Sequence, residues 1–264
     1  MSMVRADFLA NVAFGDDPGR WPLPRASTPH EMWLRAVAAG GQGRYSNAIT
    51  DLDGLCRLQR SGPLVSLAHS TRASFLRQLG WHDRARRWDG RATAVAGSDP
   101  EAGVDALIGL AADALGVGRF AVSAEALRRA GEVLTRSAPP RLRVRLAWVS
   151  AELAMACGEG ATAVGHAERA VELAGAFGSA RHTLKSDVIL AAGLCSAGQL
   201  DASRHLADAA LQDAGRLGMI PLRWALACLL ADIGSAGHTA ADVLRIRNEC
   251  AAMVRRRGGA LAGR

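Results

Sequence analysis

The feature that most constrains this chain is a glycine that returns as Gly43, Gly80, Gly118, Gly158 and Gly198, at intervals of 37, 38, 40 and 40 residues. Each of these turn glycines sits in the same frame of small side chains. Seven residues before it stands an alanine (Ala36, Ala73, Ala111, Ala151, Ala191), and five after it Ala48, Ala85, Ser123, Ala163 or Ser203. Twelve after it come Leu55, Ala92, Ala130, Ala170 and Ala210. Two antiparallel helices joined by a tight turn need a glycine where the first helix ends in the left-handed region. Small residues at fixed distances on both sides let the helix backbones approach closely. A hairpin of this kind leaves one apolar face uncovered, and stacking the next hairpin covers it, so recurrence at this period predicts a solenoid. Bulky residues two after the glycine (Tyr45, His82, Phe120, Leu200) are of a size to fill the wedge beside the turn, whereas Gly160 interrupts that series.

Helix breakers separate the units: Ser61-Gly62-Pro63, Gly97 to Pro100, Ser137 to Pro140, Gly178-Ser179 and Gly218 to Pro221. Proline in a first helical turn costs nothing, because that N–H has no intrahelical partner. The expected units are 29–62, 63–99, 100–138, 139–178, 179–218 and a degenerate, capping sixth at 219–257, whose turn glycine is Gly234 or Gly237, with the spacing of Ala227 favouring Gly234. Residues 1–28 read as an irregular extension and 258–264 as a flexible tail. Only 5% of residues are aromatic while 53 are alanine, which argues against strands and for closely packed helices. The fold expected is all-α, about twelve helices in six stacked hairpins.

The units in 29–218, with Gly-Arg-Tyr-x-x-Ala at 43–48 and Leu-Gly-Trp-x-x-x-Ala at 79–85, resemble tetratricopeptide repeats of the divergent kind found in bacterial regulatory proteins. The resemblance implies a right-handed α-α superhelix, with the first helix of each pair lining the concave surface, and a role in holding a protein or peptide. The periods exceed the family's 34 residues and its closing proline is displaced. The family's clamp for peptide carboxylates is not matched either, since the first unit offers Trp33 and Val37 where paired Lys and Asn are needed.

The spacing itself also points to the first helices. Ten before the turn glycines stand Trp33, Ser70, Ile108, Trp148 and Val188, joined by Trp224 in the sixth unit; three before stand Gly40, Arg77, Leu115, Met155 and Cys195; thirteen before stand His30, Leu67, Asp105, Arg145 and Lys185. The candidate partner-binding surface is therefore Trp33, Arg77, Ile108, Arg145, Trp148, Glu152, Lys185 and Trp224, since Trp and Arg are the residues most often found as binding hot spots. An alternative use of the tryptophans is to fill gaps left by so much alanine. Residues 1–28 either lie across the groove, pack at its end or stay disordered.

The formal net charge is +7, and Lys185 is the only lysine among 32 basic residues. Arg84, Arg87 and Arg91 are at helical spacing and form one stripe, and Arg255, Arg256 and Arg257 end the last helix; together they make a basic edge. Nucleic acid ranks behind protein as its partner, because the inner positions carry no repeated polar pair that could read bases. Self-association through an uncovered terminal face is a further option. Catalytic motifs fail on context: His166-Ala167-Glu168 lacks a following Pro-Cys-x-x-Cys, Gly116-x-Gly118 lies between helices, and His182 with Lys185 reads as a solvated turn. No enzyme activity, cofactor or metal is expected. Five scattered cysteines, an N-terminus without an apolar core and the lack of a membrane-length apolar run suggest a cytoplasmic protein. The function expected is a non-catalytic regulatory scaffold. A variant of that expectation is the sensory part of a transcription-regulator system, for which a small effector pocket in the groove would be the sign.

Overall fold

The computed structural model describes residues 2–134 and 138–263; Ser137, within one predicted breaker, lies outside them. The described residues form thirteen α-helices and no strand. Helix α1 (Ser2–Phe14) precedes six hairpins. These are α2 (Pro29–Gly41) with α3 (Tyr45–Leu58), α4 (Pro63–Gln78) with α5 (His82–Val95), and α6 (Pro100–Gly116) with α7 (Phe120–Val133). They continue with α8 (Pro140–Ala156) and α9 (Gly160–Phe177), α10 (Ala180–Ser196) and α11 (Leu200–Arg216), and α12 (Ile220–Ile233) and α13 (Ala240–Arg256).

Local chemistry starts and stops these helices where the sequence says. Pro29, Pro63, Pro100 and Pro140 each open a helix. Before α2, the Thr28 hydroxyl accepts from the Glu31 N–H at 3.2 Å while the Glu31 carboxylate accepts from the Thr28 N–H, a reciprocal cap. Asp99 caps α6 by accepting from the Ala102 N–H at 2.8 Å. Each expected turn glycine has a positive φ: Gly43 74°, Gly80 88°, Gly118 75°, Gly158 77° and Gly198 77°. In the sixth turn it is Gly234 that has a positive φ, 84°.

The small-residue frame is the packing code. All six alanines seven before a turn glycine, Ala227 included, have no exposed surface, and neither do the five residues at the position five after it. Two of the serines in this packing give their hydroxyls to backbone carbonyls, Ser203 donating to Ala191 O at 2.7 Å and Ser66 to Ala92 O at 2.9 Å, whereas the buried Ser123 hydroxyl has no partner among the described residues. First helices α2, α4, α6, α8, α10 and α12 touch from unit to unit, whereas the second helices splay apart. The first helices therefore form the inner layer of a curved array. Tyr45 fills its wedge, but Phe120 and Leu200 stay 38% and 40% exposed.

Two terminal segments differ from expectation. Residues 1–28 are not wholly irregular, because α1 buries Leu9, Val12 and Ala13 against the inner layer. Beyond it the chain crosses the array: Ala180 N–H donates to Gly15 O at 3.0 Å, and Gln42 donates to Pro18 O at 2.9 Å. Residues 258–263 do not trail free. Trp81 Nε1 donates to Ala260 O at 2.6 Å and Ala262 N–H to Leu79 O at 2.8 Å. Arg257 donates to Gln42 O at 2.7 Å, and its own carbonyl accepts from the Ser46 N–H at 3.1 Å. The last hairpin thus docks on the first two, and one apolar core runs through both ends of the array.

This docking divides the turn glycines into two kinds. Gly43 and Gly80 are more than turn residues, because the end of the chain packs on both. A Cβ added at Gly43 would stand 3.3 Å from Pro221 Cγ, and one at Gly80 would stand 3.0 Å from Ala262 Cβ. Nothing lies within 4 Å of a Cβ added at Gly118, Gly158 or Gly198. Alanine at any of these three should then cost only the left-handed backbone term, about 1 kcal/mol. Gly40→Ala should cost more, since its Cβ would stand 2.1 Å from Phe75 Cε1. Urea unfolding of the four variants measures both.

Candidate functional site

The inner layer lines a partly open chamber of about 180 Å³. An engineered apolar cavity of roughly 150 Å³ takes up benzene, so the space suits one small molecule rather than a helix or a peptide segment. Its wall begins with aromatics. Phe14, carried in by α1, lies 5.6 Å from Trp33 of α2 and 6.1 Å from His182 of α10, centroid to centroid. Trp148 of α8 stacks on His182 at 5.3 Å and 18°. Both indoles are anchored by hydrogen bonds, Trp33 Nε1 donating to Thr71 at 3.0 Å and Trp148 Nε1 to Ser186 at 2.8 Å.

The rest of the wall is cationic. Arg141, Arg145, Arg181 and Lys185 line the chamber, and among its lining residues the one carboxylate is Asp105. Arg141 donates to Asp105 at 2.9 Å and to Glu101 at 2.8 Å. Arg145 also pairs with Asp105, and Lys185 stands 3.4 Å from Glu152. Arg181 has no ion pair among the described residues; it leans 5.7 Å from the Phe14 ring and passes the end of α2 at Gly41, where an added Cβ would come 3.1 Å from its Cδ.

Partial withdrawal from water weakens the charged forms, Arg141 being buried and Arg145 and Arg181 half-buried. It pulls Arg181 down to about 10, with Arg141 repelling it in addition, and pulls Arg145 down to about 10, with Arg77 adding to the effect. Both remain protonated at neutral pH. His182 is held well below the usual imidazole range, first by burial and then by Arg181, Arg141 and Arg145, so its ring is neutral. Ser179, fully buried at the N-cap of α10, shares a 2.8 Å hydrogen bond with His182 Nδ1 and so fixes the ring. Ser70, 2% exposed, borders the chamber, and its sealed hydroxyl has no hydrogen-bond partner among the described residues.

Of the residues expected on the inner surface, Trp33, Arg145, Trp148 and Lys185 come together here, with Glu152 joined through Lys185. Three do not line the chamber. Ile108 is wholly buried in the packing of α6, α7 and α8, and Trp224 packs half-buried against the shared core. Arg77 is drawn into a buried cluster, pairing with Asp89 of α5 and, at 2.9 Å, with Asp113 of α6. His182 is buried rather than part of a solvated turn. The sequence reading missed Phe14, Arg141 and Arg181. Arg141 and Arg181 lie one helical turn before Arg145 and Lys185, so the row thirteen before the glycine continues one turn deeper. Phe14 carried no signal, because α1 lacks the glycine frame. On the outside, Arg84, Arg87 and Arg91 are exposed as expected, with Arg84 over the Trp81 ring at 4.1 Å and Arg91 over Trp88 at 4.6 Å. Arg255 and Arg256 are exposed too, but Arg257 is spent on closing the array.

Among the described residues there is no cluster of three or more His, Cys, Asp or Glu that could hold a metal ion, and no helix long and apolar enough to cross a membrane. No protein-family model matches the chain, and no curated protein is similar to it in sequence.

The Arg77 cluster makes a pH prediction. Burial, partly offset by Arg77 and reinforced by the neighbouring Asp113, pushes Asp89 up to about 7. With its folded pKa above the unfolded one, the native state holds a proton that the unfolded chain has released, so stability falls as pH rises from about 4 to about 7. Chemical unfolding at pH 5 and pH 8 should show the lower stability at pH 8, and Asp89→Asn should flatten the difference.

Proposed function

We propose that this chain is a non-catalytic regulatory module, a right-handed superhelix of tetratricopeptide type, that holds a small effector in its inner chamber and offers its outer surface to a protein partner in the cytoplasm. One observation carries the reading: the inner face, shortened by the docking of the last hairpin on the first two, holds a partly open, aromatic and cationic chamber of about 180 Å³. A long groove would favour a peptide; a small concave site with a few placed polar groups favours a small molecule. Residues 15–20 occupy the place where a peptide would cross, held by Ala180 and Gln42. The chamber holds no nucleophile-and-base pair with access to a ligand, since Ser179, the partner of His182, is enclosed and not part of the wall. This is the sensory variant of a scaffold. Ligand in the chamber bears on α2, α8 and α10 at once, so it can change how firmly the first and last hairpins hold together and hence the surface that a partner meets.

A second reading concerns nucleic acid on the basic edge. Arg84, Arg87 and Arg91 are exposed along one face of α5 with no ion pair among the described residues. Contacts of that kind would be to phosphates, and affinity would drop steeply with salt.

Thermal melting of the wild-type protein against the low-molecular-mass fraction of its native cytosol tests the effector reading. At least one fraction should raise Tm and shift tryptophan emission, and Trp148→Ala should lose the response while still melting cooperatively. An unchanged Tm across all fractions, or an equal response in Trp148→Ala, defeats it.

A further inference from the structure

We infer that the chamber is a site for a small organic anion with a flat apolar body, of the aryl carboxylate class, whose carboxylate pairs with Arg181 and whose ring lies among Phe14, Trp33 and Trp148. This rests on the effector reading above and names the chemistry of its ligand. The charge count leads to it. Four cations line the chamber; Asp105 is the carboxylate among the lining residues, and Glu101 and Glu152 reach Arg141 and Lys185 from its edge. Three carboxylates against four cations leave one positive charge over, and the geometry identifies it as Arg181, for which no carboxylate is in reach among the described residues. Its stem passes the C-terminal end of α2 at Gly41, where a helix end is worth only a fraction of a unit charge. A half-buried guanidinium with no ion pair among the described residues, set beside aromatic rings in a chamber, is a ready partner for an anionic ligand.

Three further observations agree. Thr71 and Ser74 beside Ser70 add small polar side chains to the same wall. His182, neutral and stacked on Trp148, offers a flat face rather than a competing charge. Gly41 is the residue that lets the Arg181 stem pass, since a side chain there would meet Cδ at 3.1 Å. The planar, five-donor guanidinium suits a carboxylate's paired oxygens. A multiply charged phosphate suits the site less, because only one cation is uncompensated.

The test uses the whole chain with phenylacetate, its neutral counterpart phenethyl alcohol, and inorganic phosphate, read by calorimetry and by Tm. Phenylacetate should bind at least tenfold more tightly than either of the others. Arg181→Gln should lose that preference by tenfold or more, Arg181→Lys should keep part of it, and Phe14→Ala should weaken binding while sparing the preference for charge. In the absence of ligand Arg181→Gln should melt within about a degree or two of the wild-type temperature or above it, because half-buried Arg181 has no ion pair among the described residues to lose; a merely structural arginine would lower Tm instead. Equal binding of phenethyl alcohol, tighter binding of phosphate, no binding of phenylacetate, or a clear Tm loss in Arg181→Gln overturns the assignment. If phenylacetate fails while a cytosolic fraction still raises Tm through Trp148, the anion assignment falls and the effector reading stands; if both fail, both fall.

Discussion

The structure depends on how closely helix backbones can approach when alanine or serine stands at three fixed places per hairpin, Leu55 in the first being the exception. These positions are sealed from solvent through the first five units, and the alanine before the turn is sealed in the sixth, Ala210 being the most exposed of the series at 3%. Side chains that small bury little apolar surface themselves. What they permit is contact between the larger residues beside them and between carbonyls and the hydroxyls of Ser66, Ser186 and Ser203. The cohesion of the array is therefore a matter of distance, and a methylene too many at Ala111 or Ala151 acts on every neighbour at once.

Close approach on the inner layer also sets the curvature. With the first helices in mutual contact and the second helices apart, six hairpins bend far enough for α13 and residues 258–263 to meet α3 and the α4–α5 turn. Closure has a cost in charge. Arginines of the inner face are drawn together, where Arg77 and Arg141 find carboxylates and half-buried Arg181 finds none among the described residues. The chamber is the by-product of that bend, and its chemistry is that of inner-face side chains partly withdrawn from water.

Much of the fold was legible in the residues. The glycine frame, from Gly43 and Gly80 onward, located every hairpin turn, Pro63, Pro100 and Pro140 located three helix starts, and the choice of Gly234 over Gly237 followed from Ala227 alone. The inner position of Trp33, Arg145, Trp148 and Lys185 was legible for the same reason, since a residue's distance from the turn fixes its face on the helix. Arg77 and Ile108 occupy equivalent places in the frame, yet one is consumed by Asp89 and Asp113 and the other by the packing of α6 to α8. A spacing rule gives a residue's direction and not what waits for it there. The same holds for the turns themselves: spacing gave Gly43 and Gly80 the same role as Gly118, and only the closed array set Pro221 and Ala262 against them.

Sequence alone determined the hairpin, because a left-handed glycine and small flanking residues are local requirements that no distant contact can supply. Only the tertiary structure decided that the array closes, that α1 delivers Phe14 to its inner face, and that Arg181 has no counter-charge among the described residues. Those outcomes come from a slight bend summed over six units and from pairings between residues more than a hundred positions apart, such as Gly41 with Arg181 and Trp81 with Ala260. Neither has any expression in local spacing.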